Sequence, residues 1–169
     1  MTTSLQPLSD IERKLLAAGF SEHRDHPGRP YAEVIYRTGI HPVVLSRPWD
    51  FDLHSDGDNL RWTRPKNRAP MLLPMDPALR SWFPEWWSHF VAYDVRSIHR
   101  LIKGFGTACH IYNLGPRSLR HTFIWRLAQV YPPDEVARKA GCTVWIAINY
   151  ARMARTETDQ GIASGRLPE

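Results

Sequence analysis

One stretch of this sequence predicts more about the protein than any other: Gly115-Pro116-Arg117-Ser118-Leu119-Arg120-His121-Thr122-Phe123. Its Gly-Pro pair ends one element, and the residues that follow open an amphipathic helix. We expect the core-facing stripe of this helix to consist of Leu119, Phe123, Leu127 and Val130. Arg117, Arg120 and His121 lie within four residues of one another and share a different side of the helix. Two guanidinium groups and an imidazole near a positive helix terminus predict a phosphate-binding site; the alternative is a solvated basic surface.

Length and composition predict a single domain whose net charge is compatible with an anionic partner. The chain has 169 residues, 43% of them hydrophobic, and seven tryptophans, which is enough for one sizeable core. Twenty-two basic residues against seventeen acidic ones give a net charge of +5. Eighteen of the basic residues are arginines, whose planar guanidinium suits bidentate contact with phosphate. This balance permits a nucleic-acid partner without requiring one.

The sequence gives little support for a disulfide-bonded, metal-binding or membrane protein. Cys109 and Cys142 are its two cysteines, without the paired spacing of a metal site, which favours a reducing cytoplasm and no disulfide framework. His23 and His26 are better explained by a polar loop than by a metal site. No apolar run approaches the roughly 18 residues that span a bilayer, and the N-terminus lacks a signal pattern. We therefore expect a cytoplasmic protein with no metal, no cofactor and no membrane partner.

The first half of the chain combines short helices with one block of period-2 hydrophobicity. Ser9 opens a capping box, and Gly19 is expected to stop the first helix. Two further helices are predicted from about Pro30 to Arg37 and from Pro42 to Leu45. Hydrophobicity then alternates between residues 51 and 73, which predicts a small three-stranded antiparallel sheet. Lys66 falls in the turn between the second and third strands.

Helical signals continue in the second half, where we expect four helices besides the one from Arg117 to Val130. They run from Asp76 with a kink or break at Pro84, from Asp94 to Gly104 or Gly106, from Asp134 to Lys139, and from about Thr143 to Met153. We therefore predict a mostly helical α+β fold. Residues 1–154 form its single domain, and residues 155–169 form a loose C-terminal tail.

The segment Leu119-Arg120-His121-Thr122 resembles the signature of the tyrosine recombinase (phage integrase) catalytic domain. Three more segments agree in order: Thr38-Gly39-Ile40-His41 resembles the family's TG-x-R segment, Thr63 to Arg68 resembles the hairpin that carries its lysine, and Ala140-Gly141-Cys142 leads to Tyr150. The resemblance runs from Ser9 to about Met153. It implies a recombinase-like catalytic domain whose partners are duplex DNA and other recombinase protomers.

The resemblance also implies roles for single residues. Carried over by motif, Arg120 corresponds to the family's second arginine, Lys66 to its hairpin lysine and Tyr150 to its nucleophile. Three positions depart from the family pattern: His41 replaces the first arginine, Arg117 replaces a His or Lys, and Cys142 replaces a late His or Trp. The implied active-site set is therefore degenerate. The implied DNA contacts are Arg64, Arg68 and His121.

The chemistry of DNA cleavage explains why these residue types are needed. A tyrosine hydroxyl attacks the phosphodiester to form a phosphotyrosine, guanidinium groups stabilise the transition state, and a lysine protonates the departing 5′ oxygen. Taken alone, Tyr150 is better explained as a packed core residue, and Lys66 as a solvated turn residue; the order of the family-like motifs is what favours the catalytic roles. Two functions remain open: a recombinase or integrase that cleaves and rejoins DNA, and a catalytically degenerate DNA-binding relative of the same fold. His41 separates them, because a neutral imidazole does not hold charge as a guanidinium does.

Overall fold

The structure is a computed structural model that describes residues 6–163, with side chains from residue 6 to 157. Its elements are α1 (Asp10–Glu22), α2 (Arg29–Thr38), α3 (Pro42–Ser46), a 3-10 turn (Pro48–Phe51), β1 (His54–Asp56), β2 (Asn59–Thr63), β3 (Pro70–Pro74), α4 (Pro77–Ser88), α5 (Val95–Ala108), α6 (Pro116–Ala128), α7 (Pro133–Ala140) and α8 (Val144–Ala163). The strands form one antiparallel sheet in the order β1-β2-β3. The predicted fold class, mostly helical α+β with a small three-stranded sheet, is confirmed.

The sheet obeys the period-2 pattern that predicted it. Leu60 pairs with Leu73 and Trp62 pairs with Met71 across β2 and β3, and all four side chains are buried. Their neighbours along each strand are more exposed, so one face of the sheet packs on the protein interior. The β2–β3 turn is closed by a hydrogen bond from the Arg64 N–H to the Ala69 carbonyl (2.9 Å). Lys66 lies in this turn, as expected.

Helix α6 lies at the centre of the helical part and packs against α2, α7 and α8. Leu119 and Phe123 face the core, as expected, and Leu127 is partly buried. Thr122 is also buried: its hydroxyl accepts a hydrogen bond from the Leu8 N–H (2.8 Å) and donates one to the Ser118 carbonyl (2.8 Å). Val130 was wrongly placed in the core stripe. It is 73% exposed because α6 ends at Ala128, before the stripe reaches that position.

Two predicted helix ends are wrong for a common reason, and the helix with a kink or break expected at Pro84 does not break there. Helix α1 continues through Gly19, α5 continues past both candidate glycine stops, and α4 continues through Pro84. At Gly19 a Cβ atom would lie 2.2 Å from the Cys109 Sγ, and at Gly106 it would lie 2.5 Å from the Leu114 Cβ. These glycines allow close packing inside helices instead of ending them, and the fully buried Phe83 holds α4 to the core beside its proline.

The last helix is longer than expected. Helix α8 continues past Met153 to Ala163, and Ala154 is its last buried residue among those up to residue 157, whose side chains the structure describes. The remainder of the predicted loose tail, residues 164–169, lies outside the described residues, and the division of the chain at residue 154 stays a prediction. None of the helices in residues 6–163 combines the length and the apolar character that crossing a membrane requires.

Candidate functional site

Arg120 is held at the meeting point of two helix ends. Its guanidinium donates hydrogen bonds to the carbonyl of Gly39, just after α2, and to the carbonyl of Ala140 at the end of α7 (3.1 Å for the second). Both ends turn through a glycine with positive φ: Gly39 itself and Gly141, each at 65°. Helix C-termini carry partial negative charge, so they orient a guanidinium without neutralising it as a carboxylate would.

Arg120 therefore keeps its positive charge available. No acidic side chain among residues 6–157 forms an ion pair with it. Burial, and to a smaller extent the nearby Arg64, lowers the pKa of Arg120. Because arginine starts from a very high pKa, it stays protonated despite this shift. A partly buried, charged and unneutralised guanidinium is suited to binding an anion.

Arg120 opens into a cleft of about 520 Å³, which we call the Arg120 cleft. The hairpin turn contributes Arg64 and Lys66, and the segment before α3 contributes His41. Gly141 and Thr143, from the connection between α7 and α8, complete the rim. Three of the predicted catalytic residues, His41, Lys66 and Arg120, thus line one cleft together with the predicted DNA contact Arg64.

His41 lines this cleft as a neutral side chain. It precedes α3, and its Nδ1 accepts a hydrogen bond from the Val43 N–H (3.2 Å). The proton of the neutral ring is therefore on Nε2. Burial, then Arg120 and His99, lowers the pKa of His41. His41 supplies a hydrogen-bond donor near neutral pH, but it does not supply the positive charge of the arginine that the family pattern places there.

Arg64 and Cys142 border Arg120 on the side of the connection between α7 and α8. The Arg64 Nε donates to the Met71 sulfur (3.0 Å), and a Cβ at Gly141 would lie 3.0 Å from the same nitrogen. Cys142 is half-buried, and burial raises the pKa of its thiol although Arg120 and Arg64 oppose the shift. Its thiol is therefore largely neutral, and the late His or Trp of the family pattern has no charged replacement here.

Tyr150 lies below the cleft surface. Helix α8 packs on α6 and leaves the Tyr150 side chain with no solvent-exposed area. Its hydroxyl forms a hydrogen bond with the His121 Nδ1. Burial is the main cause that raises the pKa of Tyr150, with Cys142 adding to it and Arg117 and Arg120 opposing it. The phenol is therefore protonated near neutral pH in this arrangement.

Arg117 and Arg68 do not line the Arg120 cleft. Arg117 is exposed, its Nε lies 3.4 Å from the His121 Nε2, and both residues border a neighbouring cleft of about 350 Å³. Arg68 donates to the Asp50 carbonyl and lies over the Phe51 ring, 4.7 Å from its centroid.

The six residues of the implied active-site set therefore do not all meet in one cleft. His41, Lys66 and Arg120 line the Arg120 cleft, and Cys142 lies near Arg120. Arg117 borders the neighbouring cleft, and Tyr150 is buried.

Sequence reasoning missed a basic stripe on α5. Its outer face carries exposed Arg96, His99, Arg100 and Lys103. His99 is near enough to His41 to lower the pKa of that residue, so the stripe approaches the Arg120 cleft. The signal was present in the spacing: these cations recur at three- and four-residue intervals opposite the fully buried Ile98 and Ile102.

No protein-family model and no curated protein sequence matches this chain. Solved structures of recombinases share its fold. XerA recombinase superposes with a TM-score of 0.70 at 19% identity, covering 96% of this chain and 66% of XerA. XerH site-specific recombinase bound to its palindromic difH substrate gives 0.71 at 12% identity, over 94% of this chain and 52% of XerH.

The Tn1549 transposon integrase in complex with a circular intermediate DNA gives a TM-score of 0.60 at 18% identity, over 94% of this chain and 67% of the integrase. The chain thus spans about half to two thirds of the length of these structures. At such identities the likeness establishes the fold, which is that of tyrosine recombinase catalytic domains.

Proposed function

We propose that this chain is a site-specific DNA recombinase or integrase domain that cleaves and rejoins duplex DNA through a 3′-phosphotyrosine intermediate. The observation that carries the proposal is Arg120, a charged guanidinium without a carboxylate partner at the floor of a cleft that Lys66 also lines. Two of the structures with this fold, XerH and the Tn1549 integrase, were solved with DNA. The partners we propose are duplex DNA and other recombinase protomers.

The proposed reaction assigns one step to each group. The Tyr150 oxygen attacks the phosphorus and loses its proton, a tyrosine–phosphate bond forms, and the bond to the 5′ oxygen breaks. Lys66 donates a proton to the departing 5′ oxygen. Arg120 stabilises the negative charge on the non-bridging oxygens; loss of one such donor in comparable oxyanion sites raises the barrier by about 2.7–4 kcal/mol. In the reverse step a free 5′-hydroxyl attacks the phosphotyrosine and gives up its proton, a new phosphodiester bond forms, the tyrosine–phosphate bond breaks, and the strand is rejoined.

The surface around the cleft suits a duplex phosphate backbone. The α5 stripe adds the exposed cations Arg96, Arg100 and Lys103, and it approaches the Arg120 cleft through His99. Contacts from such exposed cations position a duplex without selecting its sequence. We expect weak binding with little sequence preference, and an affinity that falls steeply with salt. Free Cys109 and Cys142 fit a reducing compartment, so we retain the cytoplasm as the proposed location.

A second function is favoured by two observations. Tyr150 has no exposed area, and His41 is neutral where the family pattern has an arginine. A non-catalytic DNA-binding relative of the same fold would retain the phosphate contacts of Arg120 and the hairpin while losing cleavage. Both candidates predict DNA binding, so covalent chemistry is the property that separates them.

The test is a DNA duplex nicked near the cleavage position, which traps a covalent intermediate because the short cleaved fragment diffuses away. An active recombinase should give an adduct that survives denaturation and is absent from Tyr150→Phe. Tyr112→Phe is the matched control, because Tyr112 is 68% exposed and should be dispensable. An adduct that persists in Tyr150→Phe would move the nucleophile to another tyrosine, with Tyr112 and Tyr131 as the nearest candidates in sequence.

Absence of an adduct together with intact DNA binding would support the second function. The variant His41→Arg then tests the cause, because it restores a permanent charge beside Arg120. Gain of an adduct in His41→Arg would identify the missing arginine as the defect. No gain would place the defect elsewhere, with the buried Tyr150 as the next candidate.

A further inference from the structure

Three side chains form a chain of contacts from the surface to the proposed nucleophile. Arg117 and His121 are four residues apart on α6, and the Arg117 Nε lies 3.4 Å from the His121 Nε2. The other ring nitrogen of His121, Nδ1, forms the hydrogen bond with the buried Tyr150 hydroxyl on α8. The His121 and Tyr150 rings cross at 69° with their centroids 5.8 Å apart, so the contact is edge-on.

The direction of the Arg117–His121 hydrogen bond fixes the direction of the His121–Tyr150 hydrogen bond. A guanidinium has only donors, so His121 must present the lone pair of Nε2 to Arg117. A neutral imidazole then carries its proton on Nδ1, and this N–H donates to the Tyr150 oxygen. Burial, Arg117 and Arg120 all lower the pKa of His121, which agrees with a neutral ring near neutral pH.

We infer that Arg117 is a positioning residue that acts through His121: it fixes the Nδ1–H tautomer, and this tautomer holds and polarises the Tyr150 hydroxyl. The inference rests on the proposed function for the meaning of Tyr150, but the tautomer itself is a property of the free protein. Arg117 stands where the family pattern has a His or Lys, and the inference assigns Arg117 the role of fixing the His121 tautomer.

The inference has a chemical consequence for Tyr150. A donor aimed at the phenol oxygen favours the ionised form and opposes the effect of burial on the same group. An imidazole with its proton on Nδ1 cannot also accept the proton of Tyr150. His121 therefore serves as a donor to the nucleophile instead of its base. The tyrosine proton must leave to water, which the fully buried hydroxyl reaches only once Tyr150 moves toward the phosphate.

The first test reads the tautomer directly in the absence of DNA. Nitrogen-15 NMR of histidine-labelled protein distinguishes protonated from unprotonated ring nitrogens, and the His121→Gln variant identifies the His121 signals among eight histidines. We expect Nδ1 protonated in the wild type and in Arg117→Lys, which keeps a donor. In Arg117→Met the proton should move to Nε2. A wild-type ring protonated on Nε2, or a tautomer unchanged in Arg117→Met, would overturn the inference.

The second test separates positioning from direct phosphate contact. The rate of adduct formation at saturating DNA is measured beside the DNA dissociation constant for Arg117→Met and Arg117→Lys. Positioning predicts a loss of about tenfold or more in the Met variant, as for other groups that orient a reacting residue, with recovery in the Lys variant. The dissociation constant should change no more than in Arg24→Met, which removes the same charge at an exposed position near the end of α1.

Two outcomes distinguish failure of the inference from failure of the proposed function. If the Met variant weakens DNA binding beyond the Arg24→Met control but reacts normally at saturation, Arg117 contacts phosphate and the inference is wrong. If the wild type forms no adduct at all, the proposed catalytic function fails. The NMR result still decides whether Arg117 fixes the His121 tautomer, because that measurement needs neither DNA nor turnover.

Discussion

Two arginine clusters in this protein are both partly buried but differ in whether carboxylates neutralise their positive charge. The first, the Glu33 cluster, joins Arg29 and Arg37 to Glu33 through contacts of 2.9 and 2.8 Å, and Arg37 also pairs with Asp76 at 2.9 Å. In the Arg120 cleft, Arg120 is bound to two helix-end carbonyls and has Arg64 as a neighbour. One cluster is neutralised within the protein, and the other remains charged.

The pKa shifts of the two central arginines follow this difference. Burial alone would lower the pKa of Arg37, yet hydrogen bonds and attraction from Glu33 and Asp76 raise it. The pKa of Arg120 is lowered, because burial and Arg64 outweigh the acidic groups near it, Cys142 and Tyr150. A buried arginine with carboxylates therefore stabilises the fold, whereas one with carbonyls alone is stabilised further by an external anion.

The largest expected effect is on stability, in the Glu33 cluster. Glu33 is 2% exposed, so Glu33→Gln leaves two half-buried guanidinium groups without their shared carboxylate. Removing one partner of a buried ion pair costs about 3–5 kcal/mol in the free energy of unfolding. Urea denaturation monitored by tryptophan fluorescence measures this loss, with the exposed Glu85→Gln as the control. A loss no larger than in the control would mean that the Glu33 cluster contributes little to the fold.

The next effect is on reaction rate, in the Arg120 cleft. Arg120→Met should reduce the rate of covalent adduct formation by about 10²–10³-fold, as expected for loss of one charged oxyanion donor. Its cost in folding stability should be about 1–3 kcal/mol, mainly from the buried Gly39 carbonyl, because Ala140 lines the open cleft, where its carbonyl can bind water. Denaturation and adduct assays on the same preparations measure both quantities.

Arg37→Met is the matched control for Arg120→Met and should show the reverse pattern. It leaves Glu33 and Asp76 with less compensation, so unfolding should become easier while the adduct rate at saturating DNA stays close to that of the wild type. If both variants lost stability equally and neither lost rate, the distinction between a neutralised and a charged cluster would have no functional meaning.

Much of the fold could be predicted because local patterns and tertiary packing agree. The alternation that buries Leu60 and Trp62 placed the sheet, and the Gly-Pro pair before Arg117 placed the start of α6. Prediction failed where packing decides against a local signal. Gly19 weakens a helix locally, but α1 continues through it because the Cys109 side chain needs the space of the missing Cβ.

The candidate site could also be predicted from the sequence only in part. The order of motifs along the chain predicted that His41, Lys66 and Arg120 would lie together, because the family resemblance assigns all three to one active site, and they do line one cleft. Burial of Tyr150 in the core was one of two explanations that the sequence allowed, but the sequence could not decide between them, because the outcome depends on how α8 rotates against α6 and on the His121 side chain between them. The contact between Arg117 and His121 could not be predicted either, because an exposed arginine four residues before a histidine has several possible neighbours.

The smallest expected effect concerns the α5 stripe, where each cation contributes to DNA binding separately. Arg96 and Arg100 are exposed on the same face of α5 and have Asp94 as their acidic neighbour. If both bind phosphates, the slope of log affinity against log salt should become shallower in Arg96→Gln/Arg100→Gln, by about 0.9 for each phosphate that is no longer neutralised. Fluorescence anisotropy with labelled duplex DNA over a salt series measures this slope.

The control removes the same charge outside the stripe. Arg24→Gln/Arg80→Gln takes two exposed arginines from the C-terminal side of α1 and from α4, of which Arg80 already pairs with Asp58 at 3.0 Å. Because counterion release depends on the phosphates that the protein neutralises and hardly on its net charge, the control should lower the affinity slightly and leave the slope unchanged. Equal slopes in the two double variants would remove α5 from the DNA path. The positive surface for DNA would then be confined to the Arg120 cleft, where Arg120 is held in place by two helix-end carbonyls beside Arg64 and Lys66.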